Sequence, residues 1–159
     1  MSDPVVRAAR PEDAALVLDF VLRLAEYEKL SHAVTATADD LAALLFAPQP
    51  RAFCDLTEVD GRPVGFCLWF YTVSTFTGRA GIWIEDLFVL PEARGHGAGL
   101  ALLKHLARRC QREGLRRLDW AVLDWNAPAI AVYQRLGAEA LDDWRLRRLS
   151  GDALAALAR

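Results

Sequence analysis

The stretch of this chain that most suggests chemistry is a glycine-rich segment that follows an apolar one. It reads Arg94-Gly95-His96-Gly97-Ala98-Gly99, and a leucine-rich segment begins at Leu100. Small residues let a backbone approach a ligand closely, and free N–H groups at a helix start favour phosphate oxygens. The segment is not a Walker loop, because no Gly-Lys-Ser/Thr follows, and Leu100 replaces the third glycine of the dinucleotide motif. From the glycines alone, the segment could equally be a loop that binds phosphate (a phosphate cradle) or a simple tight turn.

Acidic and phenolic side chains form a second group of candidates, because a carboxylate accepts protons and a phenol donates them. Glu85 and Asp86 interrupt an apolar run, and alternation along a strand predicts that only one of them faces a given side of a sheet. Which of the two acts stays open. Tyr27 and Glu28 could be an ordinary helix end, and Tyr133 could be an aromatic residue that only packs.

Metal and thiol chemistry find little support in the sequence. The three histidines are far apart and lack the spacing of metal ligands, so no metal site is expected. The three cysteines are an odd number and widely spaced, so they do not form a disulfide framework and are predicted to be inert, buried thiols. These residues are His32, His96, His105, Cys54, Cys67 and Cys110.

Length and composition predict one globular domain over residues 1–159. Apolar residues make up 53% of the chain and charged residues 25%, which is too apolar for disorder. The formal net charge of −2 and the pI near 5.9 argue against nucleic acid as a partner. No segment has the length and apolarity of a membrane helix or the core of a signal peptide, so a cytoplasmic protein without a membrane partner is expected.

The first half of the chain predicts two helices and an antiparallel sheet. Apolar residues recur at helical spacing from the turn at Pro11 to about residue 29, and Thr37 with Asp40 resembles a capping box that opens a second helix. Strands are expected at 52–58, 63–71 and 80–89, with a hairpin turn at Asp60-Gly61 between the first two.

The second half predicts a helix after the glycine-rich segment, strands at 117–122 and 145–149, and a short helix at 127–136. The expected fold class is therefore α+β, a mixed, mostly antiparallel central sheet with helices on both faces. The core stripe of the long helix is predicted to be Leu100, Leu103, Leu106, Ala107 and Cys110. Its solvated side is predicted to carry Lys104, Arg108, Arg109 and Arg112. A solvated face is also the interpretation of the arginine group at 108, 109, 112, 116 and 117, with attraction of an anionic cofactor as the minor alternative.

Three blocks of sequence together resemble the GNAT N-acetyltransferases. The first is Arg-x-x-Gly-x-Gly at Arg94, which follows an apolar strand and precedes a leucine-rich helix. The second is the strand Ile84-Glu85-Asp86-Leu87-Phe88-Val89. The third begins at Asn126, has Tyr133 seven residues later, and continues to Gly137. They occur in the order and spacing of that superfamily, and the resemblance extends over nearly the whole chain.

Shorter matches resemble one branch of that superfamily, the diamine acetyltransferases that act on spermidine, spermine or thialysine. They are Ala25-Glu26-Tyr27-Glu28, Ile84-Glu85-Asp86 and Leu123-Asp124-Trp125-Asn126. The resemblance implies a small cationic amine as substrate and an acetyl-CoA-dependent transfer by direct attack in a ternary complex. It implies that the amine is contacted by Tyr27, Glu28, Glu85, Asp119, Trp120 and Ala121.

The resemblance also assigns the cofactor and the catalytic groups. Glu85 would deprotonate the amine and Tyr133 would protonate the departing sulfur, with a backbone N–H of Leu87 or Val89 on the thioester oxygen. Acetyl-CoA would be held without a metal, by Leu87, Phe88, Val89, Arg94, Gly95, His96, Gly97, Ala98, Gly99, Leu100, Asn126, Ala127, Pro128, Ala129 and Tyr133.

Some properties stay open at this point. Another amine (an amino acid, an antibiotic or a protein N-terminus) is an alternative substrate, and a non-catalytic acyl-CoA-binding protein is an alternative function. The segment between Gly137 and Trp144 is shorter than in the polyamine enzymes, so no role is assigned to Asp142 or Asp143. Diamine acetyltransferases are typically homodimers, so the resemblance implies a homodimer, with apolar residues near Trp144 as possible interface material.

Overall fold

A computed structural model describes residues 2–159 and contains one five-stranded sheet in the order β1-β2-β3-β4-β5. All neighbouring strands are antiparallel except β4 and β5, which are parallel. The chain forms two compact units, the first ending at Ala121 and the second beginning at Val122. The strands are Val5–Ala8 (β1), Phe53–Val59 (β2), Arg62–Ser74 (β3), Arg79–Val89 (β4) and Leu118–Trp120 (β5).

The first unit also contains three of the five helices. They are Ala14–Tyr27 (α1), Ala38–Phe46 (α2) and Ala98–Glu113 (α3), and the second unit contains Ala127–Arg135 (α4) and Gly151–Leu157 (α5). Helices α1 and α2 cover one face of the sheet and α3 covers the other. The expected α+β fold with a mostly antiparallel sheet is therefore confirmed.

Local signals act as expected in the first unit. The Thr37 hydroxyl accepts from the Asp40 N–H at 3.2 Å, and the Asp40 carboxylate accepts from the Thr37 N–H at 2.8 Å, which completes the predicted capping box. Asp60 and Gly61 both have positive φ, at 52° and 73°, as a tight hairpin turn requires.

The core on the α1–α2 side is built from aromatic and aliphatic side chains. Phe20 of α1 stacks on Phe66 of β3 with ring centroids 5.7 Å apart, and it also meets Phe88 of β4 at 6.4 Å. Leu41 and Leu45 of α2 complete this cluster. Phe88 therefore anchors the last part of β4 to the middle of α1.

A buried polar cluster lies on the α3 side. Asp55 of β2 is only 3% exposed, and its carboxylate accepts a hydrogen bond from Trp69 Nε1 at 2.8 Å. The Nε2 atom of His105, on α3, lies 3.7 Å from the other carboxylate oxygen. The guanidinium of Arg109 lies 5.0 Å from the Trp69 ring centroid. The sequence did not predict this cluster.

The packing stripe of α3 differs from the expected one. Leu103 and Leu106 are buried as predicted, but Leu102 is buried as well, whereas Ala107 is exposed. Arg109 was expected in solvent and is instead half-buried against Trp69. The stripe is displaced because α3 also turns His105 and Arg109 toward the polar cluster on the sheet.

The second unit has two helices among its described residues. Asn126 caps α4, accepting from the Ala129 N–H at 3.4 Å, and Gly137 ends that helix with φ 80°. The strand expected at 145–149 is wrong, since these residues have no regular structure, and α5 follows them. Adjacent arginines at 147 and 148 interrupt the alternation that a strand needs.

Candidate active site

A β-bulge in β4 places two acids side by side. Leu68 of β3 pairs with Asp86, and the next residue, Trp69, pairs with Ile84, so Glu85 is an extra residue without a partner strand residue. Because a bulge shifts the alternation by one position, Glu85 and Asp86 both project from the sheet face that α1 covers. The expectation that only one of them could lie on that face is wrong.

Two contacts support this shared orientation. Trp83 pairs with Phe70, which packs against the α1–α2 core, and Trp83 Nε1 donates to the Glu85 carboxylate at 2.9 Å. Asp86 lies opposite Leu68, which belongs to the same core. Sequence reasoning did not predict that Trp83 contacts Glu85. The spacing of two positions on one predicted strand could have indicated this contact.

Two acids on this side of the sheet, Asp86 and Glu28, have raised pKa values. Burial, together with the negative charges of Glu85 and Glu28, raises the pKa of Asp86 to about 6. Burial also raises the pKa of Glu28, which caps the C-terminal end of α1. Carboxylates that repel each other in a partly dry site gain free energy when a cation enters. The face is therefore chemically suited to a ligand with positive charge.

The outer edge of β4 is open beyond the bulge. Strand β5 pairs with β4 only as far as Ile84 and Trp120, and β4 continues to Val89. Leu90 N–H donates to the Val64 carbonyl at 2.8 Å, on the β3 side. Since N–H groups alternate along a strand, those of Val89 and Leu87 point to the opposite, open edge. They are available there to an acceptor on a bound ligand.

The predicted phosphate cradle has the geometry that the sequence suggested. Gly95 and Gly97 have φ values of 80° and 84°, a conformation that favours glycine. The first helical hydrogen bond of α3 runs from Ala101 N–H to the Gly97 carbonyl at 2.8 Å, so the N–H groups of the residues between them have no acceptor within the helix. His96, Ala98 and Leu100 lie in the same segment. This helix start fits an anionic group such as pyrophosphate.

Arg94 is held against the end of β4 and the C-terminal end of α1. Its Nε donates to the Val89 carbonyl at 2.9 Å, which holds it at the open edge of β4. Its guanidinium carbon lies 4.8 Å from the centroid of the Tyr27 ring and 5.5 Å from that of Phe88. The predicted substrate residue Tyr27 and the predicted cofactor residue Arg94 are therefore in contact.

The residues predicted on β5 are divided between the two faces. Asp119 pairs with Trp83 and so shares the face of the acids, where its carboxylate forms an ion pair with Arg117 at 2.7 Å. Trp120 pairs with Ile84 and lies on the α3 face. Ala121 follows the strand and ends the first unit.

The remaining predicted residues belong to the second unit. Asn126 caps α4, and Ala127, Pro128, Ala129 and Tyr133 lie in that helix. Tyr133 is in its last turn, where its carbonyl accepts from the Ala138 N–H at 3.0 Å. These residues form one continuous motif along α4.

No helix within residues 2–159 is both long and apolar enough to span a bilayer. In the same part of the chain, no group of three or more His, Cys, Asp or Glu side chains is placed to hold a metal ion.

Comparison with known proteins gives a consistent result. A model of the acetyltransferase (GNAT) family matches residues 18–138. The chain is 34% identical to the thialysine N-epsilon-acetyltransferase of Mus musculus, with 99% of each chain covered. It is 29% identical to an L-ornithine N5-acetyltransferase of Arabidopsis thaliana, with 96% of this chain and 86% of that protein covered.

Solved structures resemble the fold over its whole length. An integron cassette protein from V. cholerae superposes with a TM-score of 0.81 at 26% identity, covering 100% of this chain and 99% of the other. A ribosomal-protein-alanine N-acetyltransferase from Brucella melitensis has a TM-score of 0.76 at 20% identity, with 94% and 100% covered. The second likeness concerns the fold alone.

Proposed function

The chain belongs to the GNAT family and is an N-acetyltransferase, and from this premise we propose that it transfers the acetyl group of acetyl-CoA to a small cationic amine. The amine would be a diamine, a polyamine or a lysine-like compound. The observation that carries this proposal is the acidic face formed by Glu28, Glu85 and Asp86, because the pKa of Asp86 is raised to about 6 by burial and by the other two charges. A ligand with two positive charges relieves that repulsion, whereas a neutral amine does not.

Relatives support the same substrate class. Those named for thialysine and for ornithine act on amino acids that carry an additional amino group, as their names state. The family match at residues 18–138 extends across both compact units, which supports a single acetyltransferase domain over residues 1–159.

The acids have distinct roles in the proposed reaction. An ammonium group with a pKa near ~10.4 must lose a proton before it attacks a carbonyl carbon. Glu85 is exposed, and Trp83 fixes its carboxylate at 2.9 Å, so it would accept that proton directly or through a water molecule. Asp86 and Glu28 would hold the remaining positive charge of the substrate. Attack would be direct, within a ternary complex, without a covalent enzyme intermediate.

Acetyl-CoA fits the groups that the first unit offers. When bound, it supplies an acetyl thioester. The N–H groups between Gly97 and Ala101 would bind the pyrophosphate, and a backbone N–H of Leu87 or Val89, at the open edge of β4, would hold the thioester carbonyl oxygen. Tyr133 of the second unit would give its phenolic proton to the departing sulfur.

An amine panel tests the proposal. Consumption of acetyl-CoA would be followed with thialysine, L-ornithine, spermidine and putrescine, and with a monoamine, an aminoglycoside and a peptide with a free N-terminus. We expect the highest kcat/KM for amines with two or more positive charges. A clear preference for the monoamine, the antibiotic or the peptide would contradict the proposed substrate class and show that the enzyme acts on another kind of amine. Binding of acetyl-CoA without turnover of any amine would favour a non-catalytic acyl-CoA-binding protein.

We also propose that the protein is cytoplasmic and, on the basis of the resemblance to diamine acetyltransferases, that it is a homodimer. Light scattering at micromolar concentration would give twice the chain mass of 17.6 kDa if this is correct. A measured mass equal to that of one chain would contradict the homodimer and would leave the proposed acetyltransferase activity unaffected.

A further inference from the structure

The guanidinium of Arg94 makes two kinds of contact that leave part of it available. The Nε–H points to the Val89 carbonyl at 2.9 Å, in the plane of the group. Its carbon Cζ lies over the rings of Tyr27 and Phe88, 4.8 Å and 5.5 Å from their centroids. Within the described residues, the two terminal nitrogens of Arg94 have no hydrogen bond. An arginine can therefore stack by its face and bind phosphate oxygens by its edge at the same time.

Tyr27 is the partner that fixes this face from α1. Phe88 is buried in the core and cannot move freely, whereas Tyr27 is the last residue of α1 and is half-buried. A cavity of about 220 Å³ adjoins the stack. It is lined by Arg23, Glu26, Tyr27, Phe88, Pro91 and Arg94. Without the Tyr27 ring, the guanidinium gains space into which it can turn away from the cradle.

We propose that Tyr27 is a positioning residue for the cofactor: its ring holds the Arg94 guanidinium in the orientation that binds the pyrophosphate of acetyl-CoA. This inference rests on the proposed function, which assigns the cradle to acetyl-CoA. It gives Tyr27 a role in addition to any contact with the amine. The last residue of α1, which is predicted to contact the amine, thereby also affects the affinity for acetyl-CoA.

A double-mutant cycle tests the link without any amine. CoA is titrated calorimetrically into the full-length protein and into three variants: Tyr27→Leu, Arg94→Met and the double variant. A stack of this kind contributes on the order of 1 kcal/mol, so Tyr27→Leu should weaken CoA binding about fivefold when Arg94 is present. In the Arg94→Met background, the same change should have less than about a twofold effect, because no guanidinium remains to be positioned.

Two further variants separate positioning from folding. Tyr27→Phe keeps the ring, so its CoA affinity should stay within about twofold of the wild type. Tyr71→Leu makes the same tyrosine-to-leucine change on β3, where the ring contacts Phe53 and Trp69 instead of Arg94, and it should leave the Kd for CoA unchanged. Thermal unfolding of each variant reports any general loss of structure.

The outcomes distinguish the positioning role of Tyr27 from the proposed function. An unchanged Kd in Tyr27→Leu, or an equal loss with and without the Arg94→Met change, would overturn the positioning role while the proposed function stands. An equal loss in Tyr27→Phe and Tyr27→Leu would overturn it too, because the hydroxyl rather than the ring would then matter. Failure of the wild type to bind CoA would overturn the proposed function itself, and the inference with it.

Discussion

The carboxylates of Glu85 and Asp86 project from the same face of the sheet, although the two residues are consecutive in one strand. The bulge that allows this leaves them in different surroundings. Glu85 is exposed and accepts from Trp83 at 2.9 Å, whereas Asp86 is half-buried and has a pKa raised to about 6. The two adjacent acids therefore differ in their surroundings, and the proposed mechanism gives proton transfer to the exposed one and charge binding to the half-buried one.

The raised pKa of Asp86 predicts a pH-dependent cost in stability. Folding raises this pKa from 3.8 to about 6, so the folded state binds the proton more tightly than the unfolded state does. The stabilisation from the protonated form is complete below about pH 4 and is lost as the pH rises through about 6. Asp86→Asn removes this titrating group. The free energy of unfolding of the variant minus that of the wild type should therefore be about 1–3 kcal/mol larger at pH 8 than at pH 4.

Urea unfolding of both proteins over this pH range measures the effect. Glu85→Gln, a change to the exposed neighbour, should produce a much smaller pH-dependent difference. A difference between Asp86→Asn and the wild type that does not vary with pH would contradict the assignment of the raised pKa to Asp86.

Charge removal at the acidic face should separate binding from proton transfer. Glu28→Gln keeps the shape of the side chain, so the loss should appear mainly as a higher KM for the amine. Glu85→Gln should also lower kcat, and its deficit should shrink toward high pH, where more of the amine is already neutral. Steady-state kinetics with the best amine of the panel, between about pH 7 and 9.5, give both profiles. If kcat/KM is the same in both variants as in the wild type, the amine site lies elsewhere.

The two ends of α3 provide a matched pair of glycines for testing the cradle. Gly97 precedes the helix with φ 84° and Gly114 follows it with φ 67°, and an added Cβ meets no atom within 4 Å at either position. Alanine therefore brings a similar backbone strain, about 1 kcal/mol, at both ends. Only Gly97→Ala should weaken acetyl-CoA binding, and Gly97→Val should weaken it further. Calorimetry that finds equal affinities for Gly97→Ala and Gly114→Ala would argue against a phosphate cradle.

Tyr133→Phe tests the assigned acid by removing one hydroxyl group. The affinity for acetyl-CoA should survive, whereas kcat should fall by ~10²-fold or more, which is the usual scale of general acid catalysis. Single-turnover measurements would separate the chemical step from product release. Full activity in this variant would mean that solvent or another residue protonates the thiolate.

Much of the first unit could be predicted because its signals are local. The capping box at Thr37 and Asp40 and the turn at Asp60-Gly61 depend only on neighbouring residues, and both form as expected. The glycine-rich loop was predictable for the same reason, since glycine adopts a positive φ without help from residues distant along the chain.

The features that sequence reasoning missed depend on partners distant along the chain. The bulge at Glu85 arises from the register with β3, and nothing in the apolar pattern of β4 itself marks it. Arg109 has the sequence pattern of a solvated residue, and it is drawn inward by Trp69, which is 40 positions away in the chain. The absent strand at 145–149 had a weak pattern and no partner that the sequence could identify.

The buried polar cluster beneath α3 restricts how that helix can move. A helix held only by leucines can slip along a sheet by one turn, about 5.4 Å, and recover much of its apolar contact. A slip of α3 would separate His105 from the Asp55 carboxylate, which is 3% exposed and also accepts from Trp69, and would leave this buried acid with one fewer polar neighbour. Such a slip of α3 would therefore cost free energy that a purely apolar contact would not. Adaptation to the cofactor is expected instead in the loop that carries Arg94.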